Sequence, residues 1–482
     1  MTTHSELSSY DLFIDGETVP SITDEQFETV NPATGEVFAR VARAREEDVD
    51  NAISAAKNAL PEWRSMAPEE RGRLLSDLAE LIRERQESLA QLETKDNGKP
   101  ISHAQADVET CARYFEYYAG AADKVQGNSI PLTDKYVDYT VKEPLGVTAQ
   151  IIPWNLPTNI FGRSVAPALA TGNVAVVKPA EQTPLTAVEV AKLATEVGFP
   201  DGVLNVVPGY GPEAGAPLSG HEDVDGVSFT GSVPTGIAVA KTAVENVTNV
   251  HLELGGKSPN VVYPDADLDS AVDSTMTGIF ANAGQVCSAG SRLIIHEDIK
   301  DEFLDRLVAR TDEMVVDDGK LDPDMGPLVS KEQYEKVLDY IEIGRTEVGE
   351  PLVGGEALTR DGYFIEPTVF DNVDNDNRIA QEEIFGPVLS VIEFSTEEEA
   401  DRIANDVEYG LVAGIHTKDM GRAHRFARDI QAGQIYINEW FAGGEETPFG
   451  GFKGSGFDRE KGLAALDAYT QIKNVCANIG HN

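Results

Sequence analysis

From about Gly146 to Gly256 short apolar runs alternate with helical ones, and this alternation constrains the fold more than any other feature. "GNVAVVKP" reads as a strand, "TPLTAVEVAKLATEVG" as a helix and "GVLNVVPG" as a strand again. "VDGVSFTGS", "TGIAVAKTAVEN" and "NVHLELGG" repeat the cycle. Strands that alternate with helices pair in parallel, because a crossover helix returns the chain to the same edge. The fold class is therefore α/β. Upstream, Val49, Ile53, Ala56 and Leu60 fall at helical spacing, as do Leu74, Leu78, Leu81 and Ile82. A second α/β region begins after Gly256 and runs to about "GQIYINEW". No fixed-period repeat or low-complexity segment interrupts the chain.

With 482 residues, two or three domains are expected. No apolar run approaches the ~18 residues that a membrane span needs. The N-terminus has no basic segment followed by an apolar one, and Cys111, Cys287 and Cys476 offer neither disulfide nor metal-site spacing. No metal is expected, and a reducing cytoplasm is the expected compartment. Against 39 basic side chains stand 82 acidic ones, a net charge of −43 spread through every segment. Such a field argues against nucleic acid or an anionic membrane as partner. Self-repulsion of that size is tolerable in concentrated salt, where the Debye length falls to ~3 Å at 1 M. The composition resembles that of proteins from salt-loving organisms.

Cys287 stands out among the three thiols. In "FANAGQVCSAGSR" its neighbours Gly284, Ala289 and Gly290 are small, which leaves room for a ligand, and Gln285 and Ser288 are poor core formers. A buried structural thiol and a reactive one are both compatible with this stretch. Four further motifs bear on the choice. "IIPWNLPTN" places Trp154 and Asn155 after an apolar strand, where a plain loop is the alternative reading. "VVKPAEQTP" puts Lys178 and Glu181 at a strand's carboxyl edge, where α/β sheets bind ligands. "FTGSVPTG" sets Gly231 and Ser232 at a helix start, which suits phosphate but lacks the usual glycine fingerprint. "LELGGKSP" carries Glu253, either a paired structural acid or a general base.

The order and spacing of these motifs, together with "EEIFGPV" and "PFGGFKGSG", resemble the aldehyde dehydrogenase superfamily, from "NPATGEV" near the start to "YTQIKNV" near the end. The resemblance implies a Rossmann-like cofactor domain (1–125 and 145–254), an α/β catalytic domain (255–456) and oligomerisation strands (126–144 and 457–482). A homodimer or homotetramer follows from it. It also implies that Cys287 attacks an aldehyde to give a thiohemiacetal, with the Asn155 amide and the Cys287 N–H stabilising the oxyanion. Hydride transfer would leave a thioester, which water activated by Glu253 hydrolyses. For the cofactor, NAD or NADP, the resemblance assigns Gly231 and Ser232 to the pyrophosphate and Lys178 and Glu181 to the adenosine ribose. Glu383 and Phe385 would hold the nicotinamide ribose, and Ile152, Pro153, Trp154, Gly211, Gly236 and Leu254 complete the cofactor set. An acid at the ribose favours NAD, while Lys178 could admit NADP.

Arg163 lies eight residues after Asn155, on the helix expected to carry both. It reads either as a surface arginine or, with Phe449, as a substrate contact. Succinate-semialdehyde dehydrogenases resemble this chain in having Arg there, which suits an aldehyde with a carboxylate tail. α-Ketoglutarate semialdehyde (2,5-dioxopentanoate) and succinate semialdehyde are the leading substrates, and a broad-specificity aldehyde dehydrogenase acting on non-acidic aldehydes is the alternative. Asp458 departs from the family pattern, which has glycine or another small residue there. Rival classes are a cysteine hydrolase pairing Cys287 with a histidine such as His251, a CoA-acylating dehydrogenase, and an inactive binding protein.

Overall fold

Each expected strand between Gly146 and Gly256 forms, and together they build one sheet. The computed structural model describes residues 7–480. The ends of the expected 1–125 and 457–482 segments, residues 1–6 and 481–482, lie outside the described residues. After five short strands between Ser8 and Ala42 come four helices: α1 (Glu46–Ser65), α2 (Pro68–Glu84), α3 (Gln86–Asn97) and α4 (Ile101–Ala119). The leucine pattern that reads as one helix is split at Arg85, where α2 ends and α3 begins.

The alternating region follows as β1 (Val147–Ile152), α5 (Pro157–Ala170), β2 (Val174–Pro179), α6 (Leu185–Glu196) and β3 (Leu204–Val206). It continues through β4 (Gly226–Thr230), α7 (Val233–Val244) and β5 (Asn249–Glu253). These strands lie in the order β5-β4-β1-β2-β3, all parallel. Every residue of β1 and β2 is buried, as sheets covered by helices on both faces require. The order reverses between β1 and β4, and in open sheets of this kind ligands bind at the carboxyl ends beside such a switch. A hairpin, Leu12–Ile14 with Glu17–Val19, extends the sheet beyond β3. At the other edge Gly456–Phe457 pairs antiparallel with β5.

The second region contains β6 (Pro259–Val262), α8 (Leu268–Phe280), β7 (Arg292–His296), β8 (Thr368–Phe370), β9 (Val388–Phe394), β10 (Val412–His416) and β11 (Gln434–Ile437). Its six strands are also parallel, in the order β8-β9-β7-β6-β10-β11. Each large sheet has its own apolar core. A third sheet pairs Thr470–Asn478 with Tyr136–Pro144 and Ser129–Ile130, all antiparallel. The expected strand segment 457–482 is therefore narrower than the sequence suggests. Phe457 belongs to the edge of the first sheet and a short helix, Ala465–Ala468, follows, so only Thr470–Asn478 joins the third sheet.

Candidate active site

Cys287 sits where two cavities meet. Pro153, Trp154, Asn155, Gly231, Ser232, Glu253, Leu254, Glu383 and Phe385 line one of them with the thiol. Arg163, Tyr436, Phe441 and Phe449 are among those that line the other. The first is built from turns that leave the carboxyl ends of β1, β4 and β5, which is why residues about a hundred positions apart converge.

The turn that carries Cys287 is held by backbone conformation. Asn282, Ala283 and Gly284 all adopt positive φ, at 51°, 54° and 71°. Only glycine adopts this region freely, so two non-glycine residues there mark a turn imposed by its surroundings. The expectation that the small residues make room for a ligand needs correction. A Cβ on Gly284 would run into the Gly386 carbonyl, and one on Gly290 would press on the Trp440 ring at 3.1 Å. These glycines admit the protein's own backbone and indole. Trp440 also donates its Nε1–H to the Ser288 carbonyl at 3.1 Å, propping the turn from below. Gln285 is fully buried as well: its Oε1 accepts from the Val329 N–H at 2.9 Å and its Nε2 donates to the Asn282 carbonyl at 3.0 Å. A glutamine so paired tolerates burial well.

Asn155 precedes α5 rather than standing on it, because Pro157 takes the first helical turn. Its amide donates one proton to the Gln285 carbonyl at 2.9 Å. A carboxamide has two such protons, so one donor remains. The Asn155 backbone carbonyl accepts from Asn282 Nδ2 at 2.9 Å, which ties it to the cysteine turn. The Cys287 N–H has no hydrogen-bond partner among the described residues. Two donors beside one sulfur suit a developing oxyanion.

Burial pushes the Cys287 thiol up to about 12, the nearby Glu253 and Glu383 carboxyls add to this, and the Arg163 charge and the Ser288 N–H offset part of it. The resting group is a thiol. Glu253 is buried at 2 % exposure with neither carboxylate oxygen hydrogen-bonded. Burial first, and the neighbouring Glu460 second, hold it well above the usual carboxylate range. Once deprotonated, a carboxylate without partners in the cavity of Cys287 can take a proton from whatever enters.

The cofactor set is spread more widely than expected. Ser232 caps α7, but its hydroxyl donates to Thr235 Oγ1 at 2.9 Å and accepts from no helix N–H, so the first N–H groups of α7 remain open to an anion. Gly231 lines the same cavity, and the residues present fit a dinucleotide phosphate there. Gly236 is needed for packing, since a Cβ would meet Leu254 Cδ2 at 2.5 Å. Glu383 accepts from the Gly256 N–H at 3.0 Å, and Phe385, at φ 60°, sets its ring edge-on to Trp154. Ile152 is buried one residue short of the cavity. Lys178, Glu181 and Gly211 lie off it. Lys178 Nζ donates to the Pro179 and Gly209 carbonyls at 2.7 and 2.8 Å, with Glu181 3.6 Å away. Glu181 borders a separate cleft with Phe27 and Tyr210, and Gly211 opens the turn Gly211–Gly215. Gln333 and Lys336 line the main cavity without having been anticipated, because nothing in their helix, Lys331–Glu347, marks them.

Arg163 is not a surface residue. It is buried in the middle of α5, over the Phe449 ring, and forms an ion pair with the buried Glu460 through Nε. Its Nη2 has no partner. The sequence reading missed Glu460, although it lies two residues after the anomalous Asp458.

The sequence pattern of the Aldehyde dehydrogenase family matches residues 19–475. The chain belongs to that family. It is 46% identical over 472 residues to the putative aldehyde dehydrogenase DhaS of Bacillus subtilis (strain 168), covering 97% of this chain and 95% of that protein. Among solved structures it resembles the NAD+ complex of an aldehyde dehydrogenase from Bacillus cereus, with a TM-score of 0.97, 46% identity, and 98% and 97% of the two chains covered. It also resembles a betaine aldehyde dehydrogenase from Staphylococcus aureus in complex with NAD+, with a TM-score of 0.96, 42% identity, and 98% and 96% covered. This aldehyde dehydrogenase has the family's α/β fold and is an NAD(P)-dependent oxidoreductase of aldehydes. No helix among the described residues is long and apolar enough to cross a membrane.

Proposed function

We propose that the enzyme oxidises an aldehyde to the free acid through a covalent adduct on Cys287. The observation that carries this reading is the position of Cys287 at the junction of the two cavities. The thiol must lose its proton before attack, and Glu253, lining the same cavity without partners, is the group placed to take it. The Asn155 amide and the Cys287 N–H receive the oxyanion. The chemistry that a bound nicotinamide supplies is acceptance of a hydride, which leaves a thioester on Cys287. Once Glu253 has released the thiol proton to solvent, it takes a proton from water, hydroxide adds to the acyl carbon, and the thiolate leaves. No metal or CoA is required.

NAD is the preferred cofactor in this proposal, held by the open N-terminus of α7 and by Glu383, with Glu181 disfavouring a 2′-phosphate. Residues 1–125 with 145–254 would form the nucleotide-binding unit and 255–456 the catalytic one. The third sheet exposes Ile130, Tyr136, Val137, Tyr139 and Ile472, and its loop exposes Leu132, which supports assembly into a homodimer or homotetramer. Three free thiols suit a reducing cytoplasm, and the acidic surface suits a salt-rich one.

For the substrate, the Arg163–Glu460 pair supports aldehydes without a carboxylate tail, since the guanidinium charge is already neutralised. A semialdehyde acid, α-ketoglutarate or succinate semialdehyde, is the second reading, favoured by the unpartnered Nη2 of Arg163. Initial rates on acidic and neutral aldehydes of equal length, each with NAD and NADP in high salt, separate the two. A higher kcat/KM for the neutral aldehyde with NAD is expected. Preference for the acidic one selects the second reading.

A further inference from the structure

Behind Glu253 lies a buried imidazole that the reaction above leaves unused. Side chains alternate along a strand, so His251 and Glu253, two apart on β5, share a face. His251 Nε2 lies 3.6 Å from Glu253 Oε1 and 3.8 Å from Glu460 Oε1, and its Nδ1 lies 4.0 Å from Asp458 Oδ2. Neither ring nitrogen has a hydrogen-bond partner, nor has either oxygen of Glu253 or Glu460. With Glu460 paired to Arg163, the two ring nitrogens and the two Glu253 oxygens still lack partners, and four such atoms in one buried cluster are costly and call for a functional explanation.

Of the two groups that face Glu253, Glu460 is held by Arg163, so only His251 leads outward. It borders a third cavity of about 530 Å³, shared with Asp458, Arg459 and Gln471 and separate from the two at Cys287. Asp458 is half exposed there, at φ 70°. A left-handed residue other than glycine costs backbone free energy, so a carboxylate kept in that place marks a role for the side chain. The antiparallel pairing of Leu252 with Phe457 and Glu253 with Gly456 sets Asp458 beside His251, one step further along the ladder.

We propose that His251 and Asp458 form the proton exit of Glu253. This rests on Glu253 acting as the deacylating base. Water and the thioester give the carboxylic acid, the Cys287 thiolate and one proton, which Glu253 receives. That proton passes to His251 Nε2, the Nδ1 proton leaves to Asp458 or to water in the third cavity, and rotation of the ring toward that cavity lets water exchange the Nε2 proton and restore the starting tautomer. Both gaps exceed a hydrogen bond, so a small side-chain rotation or a bridging water closes each step. The charged groups facing His251 are Glu253, Glu460 and Asp458, with Arg163 and Arg459 opposing them. Burial outweighs the carboxylates and keeps the imidazole below its usual range, hence neutral and able to accept.

The test uses the holoenzyme with saturating NAD and aldehyde, following the first-turnover burst and the steady state in dilute buffer. His251→Gln should keep a burst near one reduced cofactor per site while kcat falls about ten-fold, within the range for a lost proton-transfer group. Added imidazole should restore much of that loss, which a merely structural role would not allow. Asp458→Gly is the safer variant, since its backbone already suits glycine. It should fold as well as the parent and show a smaller, buffer-rescued loss. Parental kcat in both variants, or a loss in His251→Gln that imidazole leaves unchanged, would overturn the exit. A parent enzyme without any burst or acyl adduct would instead remove the Glu253 reading, and the exit with it.

Discussion

The two cavities that meet at Cys287 are built in different ways. On the side proposed for the nucleotide, Pro153 to Asn155, Gly231 with Ser232, and Leu254 each lie in a turn just after a strand of one parallel sheet. On the side proposed for the aldehyde the wall takes Arg163 from α5, Val286 from the cysteine turn, Tyr436 from β11, and Phe449 and Lys461 from the chain beyond it. One side is organised by backbone and the other by side chains packing across the molecule. Mutations should therefore separate along the same line. Changes at the junction stop the chemistry, and changes in the aldehyde wall act through packing and charge.

The sharpest cut is at the junction itself. Cys287→Ala should abolish aldehyde-dependent NAD(P)H formation while nucleotide binding, measured by calorimetry, stays near that of the parent. Turnover like the parent's would dissolve the idea that the cavities meet at the reacting atom. Next, Glu253→Gln should release up to one equivalent of reduced cofactor and stall, with the acyl adduct on Cys287 seen by mass spectrometry. The pH profile sharpens the same point. Glu253 must be deprotonated to take a proton from water, and burial raises its pKa. The deacylation rate should therefore fall, as pH is lowered, well above the ordinary carboxylate range.

Within the aldehyde wall, Arg163→Leu leaves Glu460 buried and alone. Removing one partner of such a pair costs ~3–5 kcal/mol, so thermal stability should drop and acidic and neutral aldehydes should lose activity together. A loss confined to acidic aldehydes, with melting unchanged, would make Arg163 a carboxylate receptor and restore the second substrate reading. The smallest effect is global. With 82 acids against 39 bases, the melting temperature should rise between dilute buffer and molar KCl as self-repulsion is screened. A salt-independent melting temperature would show that the exposed ion pairs, such as Arg345 with Glu350, already balance the field.

The surface reading of Arg163 fails because the residue is buried against a distant acid. Nothing near it in the chain marks a partner, since Glu460 is almost 300 positions away and reaches α5 only because Gly456–Phe457 closes the edge of the nucleotide-side sheet. Gly284 and Gly290 misled for a related reason. Their smallness is visible in sequence, but whether a ligand, a carbonyl or an indole fills the space is a tertiary fact. His251 had a local signal, two residues before Glu253 on a strand, yet its link to Asp458 depends on the antiparallel edge pairing.

By itself the sequence determined the parallel α/β fold and the family, and it singled out Asn155, Glu253 and Cys287, which line one cavity. It could do so because strand period, turn residues and crossover rules act over a few residues, and a strand's carboxyl end says where its turn will point. Tertiary structure alone decided that Arg163 pairs with Glu460, that the cysteine turn rests on Trp440 and that Glu253 has no hydrogen-bond partner. Charge neutralisation, close packing and desolvation depend on which distant groups share a volume, and chain order does not encode that locally.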